Sequence, residues 1–246
     1  MPRQAREFSN SGYLHLILRG IGRQILFEDQ NDYYYFLLAL ERFCKETDIT
    51  LCAYCLMDNH VHLLVRDTKG NTPLFMKKLG VSYAGYYNRK YDRTGHLFQD
   101  RYRSEAIDDD GYLLTVFRYI LNNPQKAGVC PASEYKWSSF TAYDGMSSSV
   151  DVSLFREMIG DKAAYLDFLA ADDDEDGCME FEEFHRDDDW AKETMTNILG
   201  TVSGTSLQQM EKSKRNAALK ALKDAGLTVR QIERLTGINR NVVQRV

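Results

Sequence analysis

The segment that decides the fold reads AYCLMDNHVHLLV, residues 53–65, in which two apolar stretches flank Asp58-Asn59. Aspartate and asparagine favour tight turns because their short side chains bond to backbone two residues further on. Apolar, aromatic and β-branched residues on both sides of such a turn are typical of a β-hairpin. We therefore predict two neighbouring strands, over residues 49–57 and 60–66.

The second strand of this hairpin contains two of the chain's five histidines, His60 and His62. Residues two apart on a strand point to the same face, so the two imidazoles project together. A buried imidazole loses solvation energy unless it has a polar partner, and a divalent metal ion is a common partner for such a pair. The pattern alone leaves two interpretations open, a metal site or a pair of hydrogen-bonded core histidines.

Outside the hairpin, the periodicity of the apolar residues predicts five further elements. They are a strand over residues 13–19, helices over 33–46, 72–91 and 111–122, and a strand with its approach over 95–107. The resulting order, β-α-β-β-α-β-α, is that of a ferredoxin-like split β-α-β unit. The predicted fold class is therefore α+β, with an antiparallel sheet, helices on one face and the histidine strand in the centre.

Tyr119 and Asn123 lie four residues apart at the end of the last of these helices. This spacing puts both side chains on one helix face, about one turn apart. A phenol and an amide oxygen placed in this way could reach a metal ion held by His60 and His62. The alternative for Tyr119 is a core tyrosine whose hydroxyl lies at the rim of the core.

Four separated blocks of the sequence resemble the single-tyrosine HUH transposases, in the branch of the REP-associated tyrosine transposases. The blocks, in the order of that family, are NHVHLL at 59–64, GHLFQDRY at 95–102, YILNNPQKAG at 119–128 and WSSF at 137–140. The resemblance covers residues 8–145 and implies the same ferredoxin-like fold.

The resemblance also implies an activity and a set of site residues. His60 and His62 match the metal-binding histidines, Asn123 matches the third ligand, and Tyr119 matches the nucleophile. The family cuts and rejoins single-stranded DNA at hairpin-flanked sites through a 5′-phosphotyrosine, using Mg²⁺ or Mn²⁺. The alternative is a sequence-specific DNA-binding protein that uses the same fold without catalysis, and the presence of all four residues disfavours it.

Residues 77–103 contain seven basic and two acidic side chains, interleaved with tyrosine and phenylalanine. Cations follow the phosphates of a single strand, and aromatic rings stack on its unpaired bases. The predicted DNA contacts are Lys77, Lys78, Arg89, Lys90, Arg93, Arg101 and Arg103. The alternative is an amphipathic helix whose tyrosines pack on the sheet.

Charge is distributed unevenly over the remainder of the chain. Residues 171–190 carry eleven acidic side chains and one basic, whereas residues 211–246 carry nine basic and three acidic. A basic end favours a polyanion as partner. We therefore predict three segments: a transposase domain at 8–147, an acidic helical linker at 148–211 and a DNA-binding module at 212–246.

The last segment has helix-turn-helix spacing and resembles the helix-turn-helix tails found on some relatives of the family. Its predicted DNA-facing side chains are Arg240, Asn241, Gln244 and Arg245. The alternative is a helical hairpin that only packs on the core.

Residues 172–183 match the pattern of an EF-hand loop, including Gly177 and Glu183. Met179 stands where a β-branched residue is usual, and the sequence has no second loop to pair with this one. A calcium-responsive regulator is therefore a third interpretation, which depends on this loop alone.

The composition, 246 residues of which 43% are hydrophobic, suffices for one large domain or two small ones. No apolar run approaches the length needed to span a bilayer, and the N-terminus lacks an apolar stretch of signal-peptide type. We therefore predict a cytoplasmic protein without a membrane partner. A homodimer is an attractive arrangement, because one nucleophile handles one strand end and transposition involves two.

Overall fold

The computed structural model describes residues 9–145, 149–171, 178, 188–200, 207–208, 210–225, 227, 229–239 and 242–243. The chain divides into two compact units, Met1–Met179 and Glu180–Val246, which are described separately. The EF-hand-like loop at 172–183 lies outside the described residues, apart from Cys178.

The first unit is built on a four-stranded antiparallel sheet with the order β2-β3-β1-β4. The strands are β1 (Tyr13–Arg19), β2 (Thr50–Met57), β3 (His60–Arg66) and β4 (Arg103–Ile107). This order is the ferredoxin-like arrangement predicted from the sequence, and the α+β fold class is confirmed. The histidine strand β3 lies inside the sheet, between β2 and β1.

Three long helices cover the sheet. They are α1 (Gln30–Thr47), α2 (Thr72–Lys90) and α3 (Asp110–Lys126). Leu51 lines a cavity with α1, and Leu18 lines one with α2. Both leucines belong to the sheet face opposite His62, so the two helices of the split β-α-β unit share one face, as predicted. The prediction that all helices lie on one face is wrong for α3, which lies on the other face, where Asn123 contacts His62.

The two largest differences from the predicted boundaries concern β4 and α3. Strand β4 begins at Arg103, and its predicted approach makes only a short bridge, in which Phe98 pairs with Gly20. Helix α3 continues through Pro124 to Lys126 rather than stopping before the proline. A proline in the last turn removes only one intrahelical hydrogen bond, and the amide of Ala127 still donates to the Asn123 carbonyl at 3.0 Å.

The chain after α3 returns to the sheet and packs against it. Trp137 stacks on Tyr33, with ring centroids 4.2 Å apart, and its carbonyl accepts from the Leu56 amide at 2.9 Å. Two short helices, α4 (Ser153–Ile159) and α5 (Lys162–Ala170), follow. They join the core of the first unit, where Phe155 stacks on Phe117 at 4.0 Å.

The second unit consists of α6 (Asp188–Leu199), α7 (Lys212–Asp224) and α8 (Val229–Thr236). Its core contains Met195 of α6, Leu219 of α7 and Ile232 of α8. The chain turns at Gly237, whose φ of +68° favours glycine. The side chains of Arg240, Asn241, Gln244 and Arg245 lie outside the described residues. Within the described chain, no helix is long and apolar enough to cross a membrane.

Candidate active site

The two histidines of β3 lie on the sheet face that α3 covers. Their ring centroids are 4.9 Å apart, and the rings meet edge to face. His62 exposes 2% of its surface, whereas His60 is partly buried at the end of the strand. The Nδ1 atom of His60 lies 2.7 Å from the Oδ1 atom of the neighbouring Asn59.

Helix α3 brings the other two candidate residues to this histidine pair. The Asn123 amide nitrogen lies 3.4 Å from Nε2 of His62, and the Tyr119 ring centroid lies 5.5 Å from that of His62. Capping by Asp109, which accepts from the Tyr112 amide at 2.7 Å, fixes the start of the helix. All four residues singled out in the sequence therefore meet in one place.

Both histidines are neutral near pH 7. Burial, reinforced by the Arg19 guanidinium, lowers the pKa of His60 to about 4. Burial, together with the neighbouring rings of His60 and His15, lowers the pKa of His62 well below its ordinary value. Each ring therefore keeps one nitrogen lone pair, which is the form that binds metal ions.

The donor set suits a divalent ion with open coordination positions. In the described part of the chain, no three His, Cys, Asp or Glu side chains form a metal-binding cluster. A site here would therefore combine His60 and His62 with the Asn123 amide, whose oxygen and nitrogen exchange places by a simple rotation. Such a site leaves positions for phosphate oxygens and water.

Tyr119 is more enclosed than its predicted role requires, since it exposes only 3% of its surface. The ammonium group of Lys126, two turns further along α3, lies 4.9 Å from the centroid of the Tyr119 ring. The ring of Tyr119 is therefore packed on one side by His62 and on another by Lys126.

Sequence reasoning missed the residues behind His62. His15 of β1 is fully buried, and its Nε2 lies 3.0 Å from Nδ1 of His62. Its Nδ1 lies 3.4 Å from a carboxylate oxygen of Glu105 on β4, and the Tyr112 hydroxyl donates to the other oxygen at 2.8 Å. A third histidine in an apolar strand was the available signal, but only the strand register shows that it reaches His62.

The predicted DNA contacts of residues 77–103 fall into two groups. Lys78 and Lys90 are engaged in ion pairs, Lys78 with Glu46 at 2.8 Å and Lys90 with the buried Asp32 at 2.6 Å. The other five residues lie at or near the surface: they are Lys77, Arg89, Arg93, Arg101 and Arg103.

Three of these basic residues lie either on the sheet face of the site or at a cavity. Arg103 is paired with Ile17 in the sheet, and Ile17 with His62, so all three side chains share the face of the site. Lys77 and Arg101 line a cavity of about 730 Å³ between α2 and residues 95–102. Tyr83 and Tyr87 of α2 are buried, as the packing alternative predicted.

Comparisons with known proteins agree with this fold. Residues 8–123 match the family model described as "Transposase IS200 like". A comparison with curated sequences finds no significant match. The structure of a REP-associated tyrosine transposase bound to a REP hairpin is 16% identical, with a TM-score of 0.50 over 62% of this chain and 94% of that one.

A crystal structure of a candidate transposase from Deinococcus radiodurans is 22% identical, with a TM-score of 0.35 over 49% of this chain and 96% of that chain. The structural likeness to the REP-associated enzyme supports the fold, whereas the TM-score of the Deinococcus structure is too low to carry an argument. The match of the family model to the region that contains the sheet, both histidines, Tyr119 and Asn123 decides the family. Residues 8–123 of this protein belong to the IS200-like transposase family, whose function is DNA transposition by DNA cleavage and strand transfer.

Proposed function

We propose that this transposase cleaves and rejoins single-stranded DNA through a 5′-phosphotyrosine on Tyr119. One observation carries the proposal: the tyrosine ring lies 5.5 Å from the ring of His62, a neutral histidine paired with His60. Asn123 extends the same helix face toward this pair. We assign the activity to the domain at residues 8–147.

Cleavage requires activation of the scissile phosphate, because a phenol with a pKa of about 10 is a weak nucleophile at neutral pH. A divalent ion, Mg²⁺ or Mn²⁺, held by His60, His62 and Asn123 would polarise the scissile phosphate and stabilise its developing charge. The Tyr119 oxygen forms a bond to phosphorus and gives up its proton, while the bond from phosphorus to the 3′ oxygen breaks. That oxygen takes up a proton and leaves as a free 3′-hydroxyl.

The covalent product conserves the energy of the phosphodiester bond. Attack by a second 3′-hydroxyl on the phosphotyrosine restores Tyr119 and joins a new pair of DNA ends without ATP. The two steps together are strand transfer, the reaction that transposition requires. Two strand ends need two nucleophiles, and for this reason we propose a homodimer as the working form.

We propose single-stranded DNA next to a hairpin as the substrate. The REP-associated relative was solved with a REP hairpin, which supports a hairpin partner here. Lys77, Arg89, Arg93, Arg101 and Arg103 would contact phosphates of the strand. In the second unit, the turn after α8 supports a helix-turn-helix module, in which Arg240, Asn241, Gln244 and Arg245 would face duplex DNA.

The decisive experiment uses the full-length protein, Mn²⁺ and single-stranded DNA from the flanks of its own gene, labelled at the 3′ end. Label at this end stays with the fragment that becomes attached to the protein. A denaturing gel should show a covalent band that requires metal and disappears in Tyr119→Phe. Tyr34→Phe, which changes an exposed tyrosine of α1, is the matched control and should keep the band.

The same gel tests the alternative, a DNA-binding protein without catalysis. Wild-type protein that binds the DNA but forms no covalent band would support that alternative. A band that persists in Tyr119→Phe would show that another residue is the nucleophile.

A further inference from the structure

The side chains behind His62 form a hydrogen-bonded chain across three strands. It runs from His62 on β3 to His15 on β1 and Glu105 on β4, with the Tyr112 hydroxyl at its far end. We propose that His15 and Glu105 are positioning residues, which hold His62 in the tautomer whose Nε2 lone pair faces Asn123. This inference rests on the proposed metal-dependent function, because the tautomer matters for a ligand.

Strand register places these residues in contact. His15 is paired with Glu105 on one side and with Leu64 on the other, so all three point to the face that α3 covers. His62 lies two residues from Leu64 on β3 and is therefore the diagonal neighbour of His15. The planes of the two imidazoles are inclined by only 24°, and their centroids are 5.3 Å apart.

The positions of the protons on His15 and His62 follow from Glu105, at the far end of the hydrogen-bonded series. An ionised carboxylate only accepts hydrogen bonds, so the His15 nitrogen that faces Glu105, Nδ1, must carry the proton. A neutral His15 then has its lone pair at Nε2, 3.0 Å from Nδ1 of His62. His62 must donate there, and its own lone pair is left on Nε2, toward Asn123.

The opposite assignment is unfavourable in this setting. If His15 carried its proton on Nε2, the Nδ1 lone pair would face a carboxylate oxygen. Because His15 is fully buried from solvent, the repulsion would cost the free energy of an unmade buried hydrogen bond. Glu105, with 24% of its side chain exposed, is oriented by the Tyr112 hydroxyl.

The two histidines differ in the hydrogen-bond partner of their Nδ1 atoms. His60 contacts the adjacent Asn59, a partner that the same turn supplies. His62 instead depends on residues 47 and 43 positions away in the sequence, which only the folded sheet brings together. Metal-binding histidines commonly have such a partner on the second ring nitrogen, and its loss typically weakens metal binding about ten- to hundredfold.

The test reads the tautomer directly, in metal-free full-length protein labelled with ¹⁵N at histidine. Long-range proton–nitrogen NMR spectra distinguish a proton on Nδ1 from one on Nε2, and the loss of signals in His62→Gln identifies His62. Glu105→Met removes the acceptor with a side chain of similar length, whereas Glu105→Gln keeps an acceptor oxygen. Circular dichroism checks that both variants fold. A further variant, Tyr112→Phe, removes the hydroxyl that orients Glu105 and keeps both His15 and Glu105.

We expect His62 to carry its proton on Nδ1 in the wild type and in Glu105→Gln, and to shift toward the Nε2 form in Glu105→Met. The Mn²⁺ affinity of Glu105→Met, measured by calorimetry, should fall about ten- to hundredfold. Tyr112→Phe should shift the tautomer in the same direction by a smaller amount. A wild-type proton on Nε2, or an unchanged tautomer in Glu105→Met, would overturn the inference.

The two readouts separate this inference from the proposed function. The tautomer shift needs neither metal nor DNA. If the shift occurs but wild-type protein binds no Mn²⁺, the positioning role stands and the proposed metal site fails. If Mn²⁺ binds but the tautomer does not respond to Glu105→Met, the metal site stands and the positioning role fails.

Discussion

The two faces of the sheet each bury a tyrosine, and the two tyrosines have different surroundings. Tyr83, on the face covered by α1 and α2, packs edge to face on Phe36, and its hydroxyl donates to the Leu26 carbonyl. Tyr119, on the face covered by α3, lies against the ring of His62. Burial alone therefore does not distinguish a packing tyrosine from the proposed nucleophile, and the proposal rests instead on the residues that the strands place next to each tyrosine.

The largest expected effect separates these two tyrosines. Tyr119→Phe should abolish the covalent DNA adduct and leave the thermal midpoint close to that of the wild type. Tyr83→Phe should leave the adduct intact but cost about 1–3 kcal/mol of unfolding free energy, because the buried Leu26 carbonyl loses its donor. Gel assays and denaturant unfolding on both variants measure the contrast.

The next effect concerns the histidine pair. His62→Ala should lower adduct formation at least about a hundredfold, because a ligand and its link to His15 are both lost. Imidazole favours transition-metal ions over Mg²⁺, so Mn²⁺ should bind the wild type more tightly than Mg²⁺. Calorimetry with each ion tests this order, and equal affinity of His62→Ala and wild type for Mn²⁺ would contradict the assignment.

A third prediction concerns the sheet face opposite His62, which α1 and α2 cover. Leu16 is fully buried on the face opposite His62. Leu16→Ala should destabilise the fold by about 2–5 kcal/mol through lost burial and the cavity that remains. Adduct formation per folded molecule should stay at the wild-type level well below the melting temperature. A loss of chemistry without a loss of stability would show that the two faces are coupled.

The contrast between the faces explains how much could be predicted from the sequence. Alternation along β3 placed His60 and His62 on one side, and a spacing of four residues placed Tyr119 and Asn123 on one side of α3. Both are local rules of backbone geometry. The ferredoxin-like order of the strands followed from the succession of local elements.

What escaped prediction depends on pairing between distant strands. His15 and Glu105 reach His62 only through the register of β1 with β3 and β4, and no local pattern fixes that register. Ion pairs are equally non-local: the basic Lys90 is similar to its neighbours in the sequence, yet its partner Asp32 lies on another helix. The extension of α3 past Pro124 shows that a proline in the last turn is a weak stop signal.

A smaller effect should appear in the pH dependence of stability. The pKa of His60 is lowered to about 4, chiefly by burial and by Arg19, against an ordinary value of 6.5. The unfolded chain therefore takes up a proton before the folded one does. The free energy of unfolding therefore falls as the pH decreases: the contribution of neutral His60 is complete above pH 6.5 and is lost as the pH falls toward 4.

Denaturant unfolding of metal-free protein at pH 7 and pH 4.5 tests this prediction. The wild type should lose about 1–3 kcal/mol more than His60→Gln over this interval, since a difference of one pKa unit corresponds to about 1.4 kcal/mol. Asp58 also acts on His60 and partly opposes the shift, and it is unchanged in both proteins. Equal losses in the two proteins would show that His60 is not buried as a neutral base.

The smallest expected effect separates two basic residues in their affinity for single-stranded DNA. Arg103 shares the sheet face of His62, whereas Lys90 is paired with the buried Asp32 and with Asp29. Arg103→Ala should lower the slope of log affinity against log salt concentration by about 1, as expected for one lost phosphate contact. Lys90→Ala should leave that slope unchanged and instead destabilise the fold, because Asp32 loses its cation. Fluorescence anisotropy over a salt series measures both slopes. A reduced slope for Lys90→Ala would show that DNA also contacts the side of the molecule formed by α1 and α2.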